Sequence, residues 1–364
     1  MDEYISALAA FAAGKVAPRA DELIRSDDFP MALWREMGAA GLTGFGLERW
    51  GGKAVNDVGF FDLAETLEDN AEVIGFPMTW MTHHAVSARV IAPFASETQA
   101  AHWLPRLAAG ETTCCIAISE PGVGAHPKAL STRADRTATG WRINGAKAWL
   151  TNGPIAGVAV VLAIVDEVAG RKRFGTFMVP TDLPGVSREA GYPVDFLKPS
   201  GHCTLKLENV ELPADAFMEA AGDAMETVLK RFRRIEDLFG MATASGGMAV
   251  QLRRLARVLP ADAAGDLGAL AADRELYRSA ARALVAESGG DPSTPDHERR
   301  LLALRAVSRR FQAEVTRLLE SAMREDAFLV TLTRDMRESG RIAQRVDLAK
   351  LAKAGSMMIG GAGS

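Results

Sequence analysis

Two stretches of this chain gather residue types that could hold a flat organic group. "AISEPGVGAHPKALSTRA" places a hydroxyl, Ser119, at the end of a strand-like run, and Glu-Pro-Gly then turns the chain off that course. Gly124 follows, and without a Cβ it lets a ligand approach the backbone. Further on, "GAKAWLTNGP" reads as a strand carrying Trp149 and Thr151 ahead of an Asn-Gly turn. A third stretch, "AKLAKAGSMMIGGAGS", closes on a glycine-rich turn of the kind whose backbone N–H groups can face a phosphate. Taken singly these are ordinary features. A tryptophan in a β unit is core more often than cofactor platform, and Ser-Glu-Pro-Gly is a common strand exit.

The elements that must position these residues fall into three blocks. Up to about residue 110, apolar residues recur at three and four spacing in "YISALAAFAAGKVAPRADELI", "MALWREMGAAGL", "GFFDLAETLEDNA", "MTWMTHHAVSARVIAPFA" and "ETQAAHWLPRLAAG", which predicts helices. From about residue 112 the period changes to two. "TCCIAIS", "VAVVLAIV", "FGTFMVP" and "CTLKLENVEL" read as strands, and Asn144–Gly145 inside "WRINGAKAWLT" reads as a hairpin turn. From about residue 215 the pattern is helical again. Helices, a β unit and a helical bundle make an α+β chain of three packed units (1–111, 112–214 and 215–364), and not an alternating βα fold.

Composition narrows the function classes. The chain has 364 residues, 48% of them hydrophobic and 24% charged, with a formal charge of −4, which lacks the basic excess of a nucleic-acid binder. The apolar run "GVAVVLAIV" is short and β-branched, a buried strand and not a membrane span. "MDEYISALAAF" has acids where an export signal has lysine or arginine. Cys114 and Cys115 are adjacent and so face opposite sides of a strand, while Cys203 stands far off; this pattern suits a reducing cytoplasm rather than a disulfide framework. The six histidines show no metal-ligand spacing, and no metal site is expected. The charges of "RRFRRIEDLF" alternate with core residues, as on a solvated helix face.

Order and spacing together resemble the acyl-CoA dehydrogenase family along almost the whole chain. "FPMALWREMGAAGLTGFGLERWGG" is similar to the family's N-terminal entry and "ETQAAHWLPRLAAGE" to the helix leading into its β domain. "AISEPGVGA" and "WRINGAKAWLTNG" resemble the strands that contact its flavin, and "MMIGGAG" the loop at the adenosine end of FAD. The resemblance implies a helical domain, a β-barrel or sandwich, and a helical bundle. It also implies FAD as cofactor, contacted by Ala117, Ile118, Ser119, Gly124, Trp149, Thr151, Gly360 and Gly361, with Trp149 packed on the ring system and Thr151 near its reactive nitrogen. Ala125, His126 and Asp237 would lie toward an acyl-CoA or other acyl thioester. The implied reaction is α,β-dehydrogenation, with an electron-transferring flavoprotein as acceptor and a homo- or hetero-oligomer as the working form.

The chain also departs from the family pattern. The family's Gly-Gly-x-Gly loop is followed by an aromatic residue, a helix and commonly the catalytic glutamate; here Ser364 holds the aromatic position and the sequence stops. Met357 replaces a glutamine, "LRRLARVLPADAAGDLGALAADREL" lacks the Arg-x-Phe-Gly that meets a neighbour's FAD, and "GAH" replaces "GSD". Some family members carry the base on the first long helix of the last domain, and the matching position here is Glu236. At 100° per residue it shares a face with Met225, Leu229, Phe232, Gly240, Thr243 and Gly247, away from Arg233, Arg234 and Asp237. Burial on that face would raise its pKa as a general base needs, although a pair with Arg233 would explain it equally. Two alternatives stand beside the dehydrogenase: a catalytically degenerate paralogue serving as a non-catalytic subunit, and a flavin oxidase or monooxygenase on the same fold.

Overall fold

The computed structural model describes all residues except 191–194, 219–221, 288–293, 321, 323–324, 342–346, 353–355 and 357–364. Met357, Gly360, Gly361 and Ser364 therefore lie outside the described residues. The first layer is helical: α1 (Asp2–Phe11), α2 (Ala20–Leu23), α3 (Met31–Ala39), α4 (Asp57–Ala71), α5 (Gly75–Val86), α6 (Ala92–Phe94) and α7 (Glu97–Ala108). Side chains start two of them: Asn56 Oδ1 accepts from Gly59 N at 2.8 Å and Ser96 Oγ from Gln99 N at 3.2 Å. Two helices expected as single runs are broken. A wide π turn separates α1 from α2 at 12–16 and α5 from α6 at 87–91. Pro18 and Pro93 lie just beyond those turns and cannot donate the backbone hydrogen bond a continuous helix requires.

The strands are β1 (Thr113–Ala117), β2 (Arg133–Arg136), β3 (Gly140–Thr151), β4 (Ala156–Val168), β5 (Arg171–Pro180), β6 (Val186–Ala190), β7 (His202–Pro213) and β8 (Phe217–Met218). They form one sheet in the order β6-β7-β3-β2-β4-β5-β8, and β1 pairs in parallel with β4. Both faces of β4 are covered. Val158, Val160, Leu162 and Ile164 pack with the helices, while Ala159, Val161 and Ala163 turn to an inner core with Trp141, Phe177 and Leu205. A strand buried on both sides must be apolar at every position, which is why its sequence shows no alternation. Cys114 and Cys115 divide the same way between the two cores.

Asn144–Gly145 is not a hairpin turn. The β2–β3 reversal falls at 137–140, where Thr137 N donates to Gly140 O (3.0 Å) and Gly140 N to Thr137 Oγ1 (3.0 Å). Asn144 and Gly145 lie inside β3, where the ladder with β7 slips between Ile143 and Gly145. Gly145 has φ +146°, and a Cβ there would stand 2.7 Å from Thr132 Cα. The dipeptide makes a bulge, which needs the same glycine as a turn and is indistinguishable from one in sequence.

The last layer is α8 (Val228–Val258), α9 (Ala264–Glu287), α10 (Pro295–Glu320) and α11 (Ala327–Arg341). Its anchor to the sheet is Asp223, whose carboxylate accepts from Phe174 N on β5 and from Met225 N, both at 2.9 Å. Helix α8 crosses α4 closely: a Cβ on Gly246 would stand 2.6 Å from Glu68 Cβ and 2.9 Å from Glu65 O. Phe239 of α8 meets the rings of Trp80 and Phe60 from the first layer. Each such buried aromatic contributes about 1.5–3 kcal/mol.

Candidate functional site

The flavin-type stretches meet at the end of β1. Lys147 Nζ, buried, donates to Ile118 O (3.1 Å) and to Glu120 Oε1 (3.0 Å). Glu120 also accepts from Ser131 N and Oγ (2.7 and 2.8 Å) and from Thr132 N (2.8 Å). Burial opposes its charge, but the Thr132 and Ser131 hydrogen bonds and the Lys147 ammonium outweigh it and hold the carboxyl down at about 2. Glu120 is thus a clamp for the strand exit. Behind it Glu120 and Gly124 exchange backbone bonds of 3.0 Å each, closing a small loop through Gly122 and Gly124, both at positive φ. Ala125 is half-buried and His126 exposed on the loop that follows.

The clamp fixes what stands next to it. Ala148 N donates to Ser119 O at 2.8 Å, so the Ile118–Ser119 exit and the residue before Trp149 are joined. The β3–β7 ladder slips between Lys147 and Leu150, and Trp149 within that slip has φ +63° and is 49% exposed. A bulky residue pays strain to sit in the left-handed region and shows its indole instead of burying it. Leu150 goes inward and Thr151, half-buried, bonds His202 Nε2 at 3.0 Å. The neighbouring Asn152 donates to Thr79 O on α5 at 3.0 Å. Ala117 is buried, and Ile118 and Ser119 are half-buried. Lys147, Asn152 and His202 escaped the sequence reading; a lysine one residue from a strand alanine and tryptophan was the one available hint.

Glu236 is carried by helix α8, which also packs against α5. Leu229, Phe232 and Thr243 on its face of α8 are buried as the periodicity predicts, and Thr243 Oγ1 reaches Met81 Sδ of α5 at 3.3 Å. Met225, placed on that face by the helix wheel, precedes the helix. Between these buried residues Glu236 and Gly240 are open, and a Cβ on Gly240 would meet nothing within 4 Å. Yet enough protein surrounds Glu236 that burial, reinforced by Asp237, raises its carboxyl to about 7 against the pull of Arg233 and Arg305. No hydrogen bond or ion pair ties Glu236 to another described residue, so the alternative pair with Arg233 does not form. Asp237, one helical step round, points into the bundle and pairs with Arg305 at 2.6 Å.

The acyl-CoA dehydrogenase N-terminal domain matches residues 2–111 and the acyl-CoA dehydrogenase middle domain residues 115–210, together more than half of the chain. The chain belongs to the acyl-CoA dehydrogenase family. Among curated proteins it is 27% identical over 262 residues to 2-methylacyl-CoA dehydrogenase of Solanum tuberosum, covering 71% of this chain and 62% of the relative. It is 30% identical over 224 residues to acyl-CoA dehydrogenase fadE12 of Mycobacterium tuberculosis, covering 61% and 56%. The match therefore spans somewhat over half the length of these relatives. In fold it is similar to a glutaryl-CoA dehydrogenase of Mycobacterium smegmatis solved with FADH2, with a TM-score of 0.84 at 24% identity over 97% of this chain and 93% of the other. Within this acyl-CoA dehydrogenase family chain the ring-side strands and the Glu236 face share one neighbour, α5, at Thr79 and Met81.

Proposed function

We propose that this chain is a flavin-dependent acyl-CoA dehydrogenase that uses Glu236 as its base. The observation that supports this most is Glu236 itself, an accessible carboxylate with no hydrogen-bond or ion-pair partner among the described residues, raised toward neutrality by its surroundings. A base of that pKa is ionised and still proton-hungry at neutral pH, where an ordinary glutamate is too weak. The residues present fit FAD: Trp149 offers an exposed indole, Thr151 and Ser119 offer hydroxyls, and the Ala117–Ile118 backbone and Gly124 border them. When bound, FAD supplies the acceptor for the hydride that leaves the β-carbon of the thioester. Glu236 takes the α-proton, and the buried Leu229 and Phe232 of its helix face belong to the surroundings that raise its carboxyl. Ala125 and His126, on the accessible loop after Gly124, would lie toward the acyl thioester. Electrons pass on to an electron-transferring flavoprotein, and the working form is an oligomer.

The test is to load the purified protein with FAD and supply saturated acyl-CoAs of graded length with an artificial electron acceptor. Mass spectrometry should find acyl-CoA lacking two hydrogen atoms with the wild type, and none with Glu236→Gln. A protein that binds FAD yet converts no acyl-CoA, or a Gln variant that converts it as fast as wild type, would overturn the reading.

A further inference from the structure

His202 opens β7 directly opposite Thr151 in the β3–β7 ladder. Its ring is half-buried, its Nε2 lies 3.0 Å from Thr151 Oγ1, and its Nδ1 is shut off from solvent with no hydrogen-bond partner among the described residues. Burial lowers the imidazole's pKa, so the ring is neutral at physiological pH and carries one N–H. Two placements of that proton are open. On Nδ1 it would be a buried donor with nothing to bond, and orphaned N–H groups are rarer and costlier in folded proteins than unused acceptor lone pairs. On Nε2 it donates to Thr151 Oγ1 and leaves only a lone pair unused.

The second placement has a consequence for Thr151. With Nε2–H donating to its oxygen, the hydroxyl's own proton must point to a different acceptor. The inner core behind it belongs to Leu150 and Cys203, both apolar and buried. The remaining direction is the open side of β3, beside the exposed indole of Trp149. We infer that His202 is a positioning residue whose Nε2–H turns the Thr151 hydroxyl into a donor aimed at the open side of β3, beside Trp149. Resting on the proposed flavin reading, this leaves the Thr151 O–H free to donate to an acceptor nitrogen of the ring. The histidine touches neither cofactor nor substrate and acts through the threonine alone.

The first test needs no cofactor. Long-range proton–nitrogen NMR of the apoprotein, with the His202 signals assigned by their loss in His202→Gln, reports which ring nitrogen holds the proton. The Nε2–H form is expected, and a ring protonated on Nδ1 would overturn the inference. The second test uses FAD-loaded protein. His202→Leu should shift the flavin's reduction potential and visible band, and His202→Gln, whose amide can donate from a similar place, should restore both. A Leu variant with wild-type potential and spectrum would refute the role. Wild-type protein that takes up no FAD would instead contradict the flavin reading, and the NMR result would still decide the position of the proton.

Discussion

Glu236 ties the chemistry to measurable pH behaviour. With its carboxyl raised to about 7, turnover should fall tenfold per pH unit below that point, on an acid limb well above that of an ordinary glutamate. The same shift acts on stability. The folded protein keeps this proton up to about 7, whereas the unfolded chain gives it up near 4.5, so stability declines as pH rises through that window and stays lower above it. Glu236→Gln removes the penalty: its melting temperature should exceed wild type at about pH 8 by the equivalent of roughly 1 kcal/mol, discounted for the side chain's exposure, and match it at about pH 4. Thermal scans at both pH values check this. Glu120 behaves oppositely. Its carboxyl, held down at about 2, stabilises the fold above 4.5, and that contribution is lost as pH falls toward 2. Glu120→Gln strands Lys147 in the interior and should cost about 3–5 kcal/mol in denaturant unfolding. Residue type alone makes Trp149 and Glu236 candidates in the sequence. It does not do so for His202, whose contact with Thr151 arises from a ladder register that joins positions fifty-one apart.

Helices and strands carry these residues, and their sequence signals differ in quality. The period of helix α8 separates Glu236 from Asp237, one accessible and one paired with Arg305. What the period could not tell was that Glu236 and Gly240 stay accessible between the buried Leu229, Phe232 and Thr243, since a helical stripe does not show which of its positions a neighbour covers. Gly246 sets how near α8 comes to α4. Gly246→Val should push its side chain into Glu68 and the Glu65 carbonyl and lower stability by about 1–3 kcal/mol, measured by urea unfolding. Where a local signal had two structural meanings, sequence gave the wrong one: Asn144–Gly145 bulges inside β3, and Pro18 and Pro93 break helices that the apolar spacing alone would have continued.

In the molecule as a whole, the order of the three layers followed from changes of hydrophobic period, which register the burial pattern of entire elements and survive local misreadings. Among the described residues no helix is long and apolar enough to cross a membrane. Layer contacts do what no single stretch announces: α5 of the first layer meets Asn152 after β3 and Thr243 on the Glu236 face of α8, and so joins the two stretches that carry the proposed site residues. The most direct test of the account is anaerobic mixing of FAD-loaded protein with a saturated acyl-CoA while the visible flavin band is recorded. The account predicts that the wild-type band bleaches and that the Glu236→Gln band, with FAD still bound, is unchanged. Equal bleaching in both proteins would contradict it.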